Sequence, residues 1–125
     1  MDKNKLQDVF DIIQEFLPRE WTQIAFFVGY TEGSFSMKFY YKCDSGPYVN
    51  CFNIPSLSEI DLYRAFIEID KILSPVRNQD IENEKWTIMT MTVDSNGKMK
   101  ADFDYKDHSE DLVACQQNWE QLFLK

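Results

Sequence analysis

The 125-residue chain predicts an α+β fold: a single domain, residues 1–125, built on an antiparallel sheet of about five strands. The expected order is α-β-β-β-α-β-β-α, with the helices packed on the sheet, largely against one face. Three observations carry this. Period-two alternation falls in two groups, residues 21–54 and 86–105. The turns inside each group are short, which forces antiparallel neighbours. Helical spacing occurs before, between and after the groups.

Leu6, Val9, Phe10, Ile13, Phe16 and Leu17 recur at steps of three and four, stacking on one side of a first helix. Pro18 should stop that helix at or just after Leu17. The next strand places Ile24, Phe26, Val28 and Tyr30 on one face, and Gln23, Ala25, Phe27 and Gly29 on the other. Thr31-Glu32-Gly33-Ser34 reads as a turn. Its return strand alternates Phe35, Met37, Phe39, Tyr41 and Cys43 against Ser36, Lys38, Tyr40 and Lys42. A second turn at Asp44-Ser45-Gly46-Pro47 leads to a third strand, Tyr48 to Ile54, closed by Pro55.

Ser56-Leu57-Ser58-Glu59 matches a capping box. Behind it Leu62, Phe66, Ile69 and Leu73 repeat at helical spacing, widened by Ile60, Tyr63, Ile67 and Ile72. Asp61, Arg64, Glu68 and Lys71 occupy the remaining face, and Pro75 marks the end. The charged residues 76–85 read as a surface loop. The second β unit sets Met89, Met91 and Val93 on one face and Trp86, Ile88, Thr90 and Thr92 on the other. Asn96-Gly97 is a strong hairpin signal, since both positions tolerate positive φ. Its return strand points Met99, Ala101, Phe103 and Tyr105 inward, and Lys98, Lys100, Asp102 and Asp104 outward. Ser109 can cap a last helix that packs through Leu112, Val113, Cys115, Trp119, Leu122 and Phe123.

Composition bounds the function. Hydrophobic residues make up 44% of the chain, ample for one core and far too apolar for a disordered tail. The balance of 13 basic against 21 acidic residues gives a formal net charge of −8. That disfavours direct nucleic-acid or anionic-lipid binding, which need clustered cations. It suits plain solubility, or a basic partner whose approach it would steer. Cys43, Cys51 and Cys115 form no metal-binding spacing; three reduced thiols are expected, although Cys43 and Cys51 could face each other across a hairpin. No apolar signal core follows Met1 and no run is long enough to span a membrane, so residence in the cytoplasm is expected.

No catalytic constellation emerges, and no cofactor is called for. His108, the sole histidine, sits beside Asp107 and Ser109, but a triad is assembled by geometry and not by adjacency. Asp102 and Asp104 share one strand face, and Asp107, Glu110 and Asp111 extend the acidity toward the last helix. Solvated surface charge is the simpler account of them.

The succession Glu20-Trp21, Phe39-Tyr40-Tyr41, Asn53-Ile54-Pro55, Trp86-Thr87, Asn96-Gly97-Lys98 and Asp102-Phe103-Asp104-Tyr105 resembles the YezG-like immunity proteins over nearly the whole chain. The resemblance implies a cytosolic, non-enzymatic antitoxin that occludes a polymorphic toxin, typically the nuclease domain of a secreted or contact-delivered effector. A nuclease must be basic where it meets phosphate, so the acidic residues Asp102, Asp104, Asp107, Glu110 and Asp111 are candidate contacts. Tight binding also needs aromatic anchors, for which outward-facing Tyr40 and Phe27 are candidates unless a helix covers them. A non-catalytic adaptor for a cellular protein, or a small hydrolase using Asp102, Asp104 and Asp107, are the alternatives; the oligomeric state is open.

Overall fold

The computed structural model describes residues 3–31, 34–44, 46–54, 58–78, 86–106 and 112–124. Helix α1 (Lys3–Gln14) is followed by strands β1 (Gln23–Thr31), β2 (Ser34–Lys42) and β3 (Val49–Asn50), and a 3₁₀ turn at Cys51–Asn53. Helix α2 (Glu59–Asn78), strands β4 (Ile88–Asp94) and β5 (Met99–Asp104) and helix α3 (Leu112–Phe123) complete the expected order. The five strands form one antiparallel sheet in spatial order β3-β2-β1-β4-β5.

The helices divide between the two faces of the sheet. Leu6, Val9, Phe10 and Ile13 of α1 and Leu62, Phe66, Ile69 and Leu73 of α2 pack onto Ile24, Phe26, Val28, Phe39, Met89, Met91 and Val93. On the opposite face, α3 lays Trp119 over Ala25, Phe27, Tyr40 and Ile88. The central strand β1 is therefore buried on both sides, which explains its continuous run of apolar residues. Phe26 shows how the register builds a core layer: it faces Phe39 on one neighbour and Met91 on the other, and Met91 faces Ala101. Gly29 permits the close approach of α3, since a Cβ there would lie 3.2 Å from Leu112 Cδ1 and 3.3 Å from the Phe27 ring.

Several element ends differ from the sequence expectation. Helix α1 stops at Gln14, because Pro18 denies helical geometry to Leu17 and the chain tightens into Phe16 N–H···O Ile13 and Leu17 N–H···O Gln14 bonds. The third strand is cut to two residues: the Asn50 side chain accepts the Phe52 N–H at 3.0 Å and turns the chain into the 3₁₀ segment, burying Cys51. Ser56 lies outside the described residues; Ser58 Oγ accepts the Asp61 N–H at 3.4 Å and caps α2.

Helix α2 continues through Pro75 to Asn78. Arg77 holds its last turn, donating Nε–H to the Trp86 carbonyl at 2.6 Å with the guanidinium 4.9 Å from the Tyr30 ring. Trp86 precedes the strand and packs with Tyr30 and Phe103 on the α1/α2 face, opposite to its expected side. The hairpin closes with Gly97 alone at positive φ (85°), so Ser95-Asn96-Gly97 forms a three-residue loop instead of a two-residue turn. Asp94 Oδ1 secures it by accepting the Asn96 and Lys98 N–H groups. Tyr105 lies past the end of β5 and is exposed. Ile60, Tyr63 and Ile67 of α2, and Val113 and Leu122 of α3, are also exposed instead of packed.

Candidate functional site

Asp102 and Asp104 lie in rows that cross the sheet beneath and beside α3. Strand pairing places Lys38, Phe27, Thr90 and Asp102 in one row, and Ser36, Gly29, Ile88 and Asp104 in the next. Both carboxylates are thus on the α3 face, at its outer edge on β5. Between that edge and α3 runs a groove of about 370 Å³. Ile88, Trp119 and Phe123 supply apolar walls, and Asp102, Asp104, Lys106 and Asn118 line it with polar groups.

Polar contacts fasten α3 to the sheet within and beyond this groove. Trp119 Nε1–H donates to Thr90 Oγ1 at 2.7 Å, Tyr40 O–H to Glu120 Oε1 at 3.0 Å, and Gln116 Nε2–H to Ser36 Oγ at 2.8 Å. Burial, reinforced by the Glu120 carboxylate, raises the Tyr40 phenol well above its ordinary value. The ring is therefore neutral across the physiological range, as a hydrogen-bond donor to a carboxylate must be.

The candidate contacts separate accordingly. Phe27 is 1% exposed and Tyr40 6% exposed, so the expectation that they face outward is corrected: α3 covers them, with the Trp119 ring edge-on to Phe27 at 5.3 Å and tilted against Tyr40 at 5.7 Å. Asp102 and Asp104 are exposed and adjacent across the groove rim. Asp102 makes a loose ion pair with Lys100 at 3.9 Å, which such exposure renders weak. Asp104 Oδ1 accepts the Lys106 N–H at 2.8 Å. Asp107, Glu110 and Asp111, with His108, lie outside the described residues. Asn118, Cys115 and Leu122 join the groove but had no sequence signal beyond helical spacing, since only the docking angle of α3 brings them to β5.

Chemically, the groove offers two carboxylates, a lysine, an amide and apolar walls. Among the described residues no group of three or more His, Cys, Asp or Glu is placed to hold a metal ion. The described polar groups serve hydrogen bonding and fold anchoring, and no buried side-chain nitrogen or oxygen among them lacks a partner. Such a surface is suited to recognising another molecule through shape and charge.

Comparison with known proteins agrees in one direction. Residues 3–122 match the family model described as "Immunity protein YezG-like". The chain is 27% identical to the Immunity protein YezG of Bacillus spizizenii over 132 aligned positions, covering 97% of this chain and 79% of that protein. It is 24% identical to the Immunity protein YezG of Bacillus subtilis over 112 positions, covering 82% and 74%. A match that runs from the first helix into the last, over the α-β-β-β-α-β-β-α order found here, shows that the chain belongs to the YezG-like immunity protein family.

Proposed function

We propose that this chain is the antitoxin of a toxin–immunity pair: it binds a cognate toxin and neutralises it by covering the catalytic surface, with no catalysis of its own. The observation that carries the proposal is the family match over residues 3–122. The toxin is proposed to be the nuclease domain of a secreted or contact-delivered effector, met in the cytoplasm. No described helix is long and apolar enough to cross a membrane, which suits that setting.

The physical case rests on complementarity. A nuclease carries cations where it grips phosphate. An inhibitor with a net charge of −8 approaches such a surface faster than a neutral one, and more so at low salt. Asp102 and Asp104 on the β5 rim are the proposed steering contacts, continued in sequence by Asp107, Glu110 and Asp111. Affinity would come from the apolar part of the same groove, where Leu122 is exposed beside Trp119 and Phe123. Phe27 and Tyr40 support this surface from below by holding α3.

Co-expression with the toxin encoded beside this chain should restore growth and yield a stoichiometric complex that lacks nuclease activity. Asp102→Asn combined with Asp104→Asn should slow association several-fold at low salt and flatten its salt dependence, while leaving the dissociation rate nearly unchanged. Unaltered association kinetics would place the contact on another face. Failure of the wild-type chain to bind or inhibit that toxin would end the proposal.

A further inference from the structure

The two edges of the sheet are built differently. Strand β5 carries Lys98, Lys100, Asp102 and Asp104 at or along its length, the charged pattern by which proteins discourage edge pairing. The opposite edge is incomplete. Strand β3 pairs with β2 at Tyr40 and Tyr41, so among the described residues Ser34 to Lys38 has a strand neighbour in β1 alone.

The direction of its free backbone groups follows from the register. Tyr30 N–H donates to the Thr87 carbonyl, toward β4. Antiparallel ladders alternate, so Phe27, Gly29 and Thr31 turn toward β2 and engage Lys38, Ser36 and Ser34. Phe35, Met37 and Phe39 therefore aim their N–H and C=O groups away from the sheet. Phe39 satisfies its N–H on the Cys51 sulfur. No described residue supplies a backbone partner to Phe35 or Met37.

Beside this edge lies apolar surface that no described residue covers. Ile60, Tyr63 and Ile67 line one stripe of α2, spaced three and four apart, and are 64%, 53% and 50% exposed. Tyr63 and Ile67 join Phe35, Met37, Phe52 and Phe66 around a groove of about 430 Å³. Helical positions that read as core are thus left in solvent, next to the open strand.

We propose that a second copy of this chain occupies this edge, pairing β2 with β2 antiparallel about a two-fold axis at Ser36 and joining two sheets into one. The segment Ser34-Phe35-Ser36-Met37-Lys38 is self-complementary about that axis. Phe35 of one copy and Met37 of the other exchange backbone hydrogen bonds, and each Lys38 falls opposite Ser34, so no like charges meet in a chain of net charge −8. The open length is bounded by the β1–β2 turn at one end and by the 3₁₀ turn at the other, which limits the pairing to these five residues. The same axis brings the two α2 stripes together over Phe35 and Met37, giving the apolar contact that a short edge pairing lacks alone.

Sedimentation equilibrium of the full chain should show a monomer–dimer equilibrium. Ile67→Glu, on an exposed position that leaves the core intact, should weaken the dimer at least tenfold. Ser36 sits in a pair without hydrogen bonds across the axis, where facing Cα atoms are about 4.5 Å apart and within disulfide reach. Ser36→Cys in a Cys43→Ser, Cys115→Ser background should give a reducible dimer on mild oxidation, while Lys100→Cys on β5 should not. A wild-type chain that stays monomeric at every concentration, or equal cross-linking from both positions, would overturn the proposal. Protection of the edge that arises only on adding a cognate toxin would also overturn it, assigning the strand to the toxin.

Discussion

Replacing Trp119 by alanine should detach α3 from the sheet while leaving the α1/α2 side in place. Trp119 is the side chain by which α3 is buried, and its ring lies 5.3 Å from Phe27, 5.7 Å from Tyr40 and 5.4 Å from Phe123. Truncating a buried Trp to Ala costs about 3–5 kcal/mol, and a domain of this size has about 5–15 kcal/mol in total. With a urea dependence of about 1–3 kcal/mol per molar, the unfolding midpoint should fall by at least roughly 1 M. Hydrogen exchange should show lost protection across Leu112–Phe123, with α1 and the paired strand β1 unaffected. The hydrogen bond to Thr90 can be separated from the packing. Trp119→Phe and Thr90→Val should each cost about 1–3 kcal/mol by leaving a buried partner unsatisfied, and the double variant should cost clearly less than their sum. A Trp119→Ala protein within about 1 kcal/mol of wild type, with α3 still protected, would refute the docking of α3 as described here.

Other consequences are as direct. Arg77→Met should lower stability by about 1–3 kcal/mol, seen in urea titration, because it removes the hydrogen bond to the Trp86 carbonyl and the stacking on Tyr30 that hold the helix beyond Pro75. Gly97→Ala should cost about 1–2 kcal/mol through its φ of 85°, although nothing stands within 4 Å of the added methyl. Burial pushes the Cys51 thiol up to about 11 from 9.0, so the folded state holds its proton longer than the unfolded chain does. That contribution is complete below pH 9 and is lost as pH rises toward 11; stability measured over this window should fall more steeply in wild type than in Cys51→Ala. Tyr30, raised by burial and by donating to Asp70 Oδ1 at 2.7 Å, acts in the same sense at higher pH, and Tyr30→Phe should soften the alkaline limb above pH of about 10.

The order of elements was legible in the amino-acid sequence because it depends on local periodicity: the Leu6-Val9-Phe10-Ile13 step, the alternation of Phe35 to Tyr41, and the Asn96-Gly97 signal each describe one element's own burial. The prolines depart from the local rule. Pro18 shortened its helix more than expected, and Pro75 did not end one, because Arg77 in the same last turn is held by the Trp86 carbonyl and the Tyr30 ring, which lie outside the helix. The acidic rim was partly visible, since Asp102 and Asp104 had to share a face.

What the sequence alone determined was the α+β order and the inward faces of its strands apart from Trp86 and Tyr105, together with a family resemblance that the match over residues 3–122 bears out. Tertiary structure decided which surfaces remain free. Phe27 and Tyr40 became core when α3 took the second face of the sheet, whereas Ile60, Tyr63 and Ile67, apolar at helical spacing, were left in solvent beside the stretch of β2 that β3 does not reach. Periodicity records how wide an apolar stripe is; only packing determines how much of it another element is wide enough to cover.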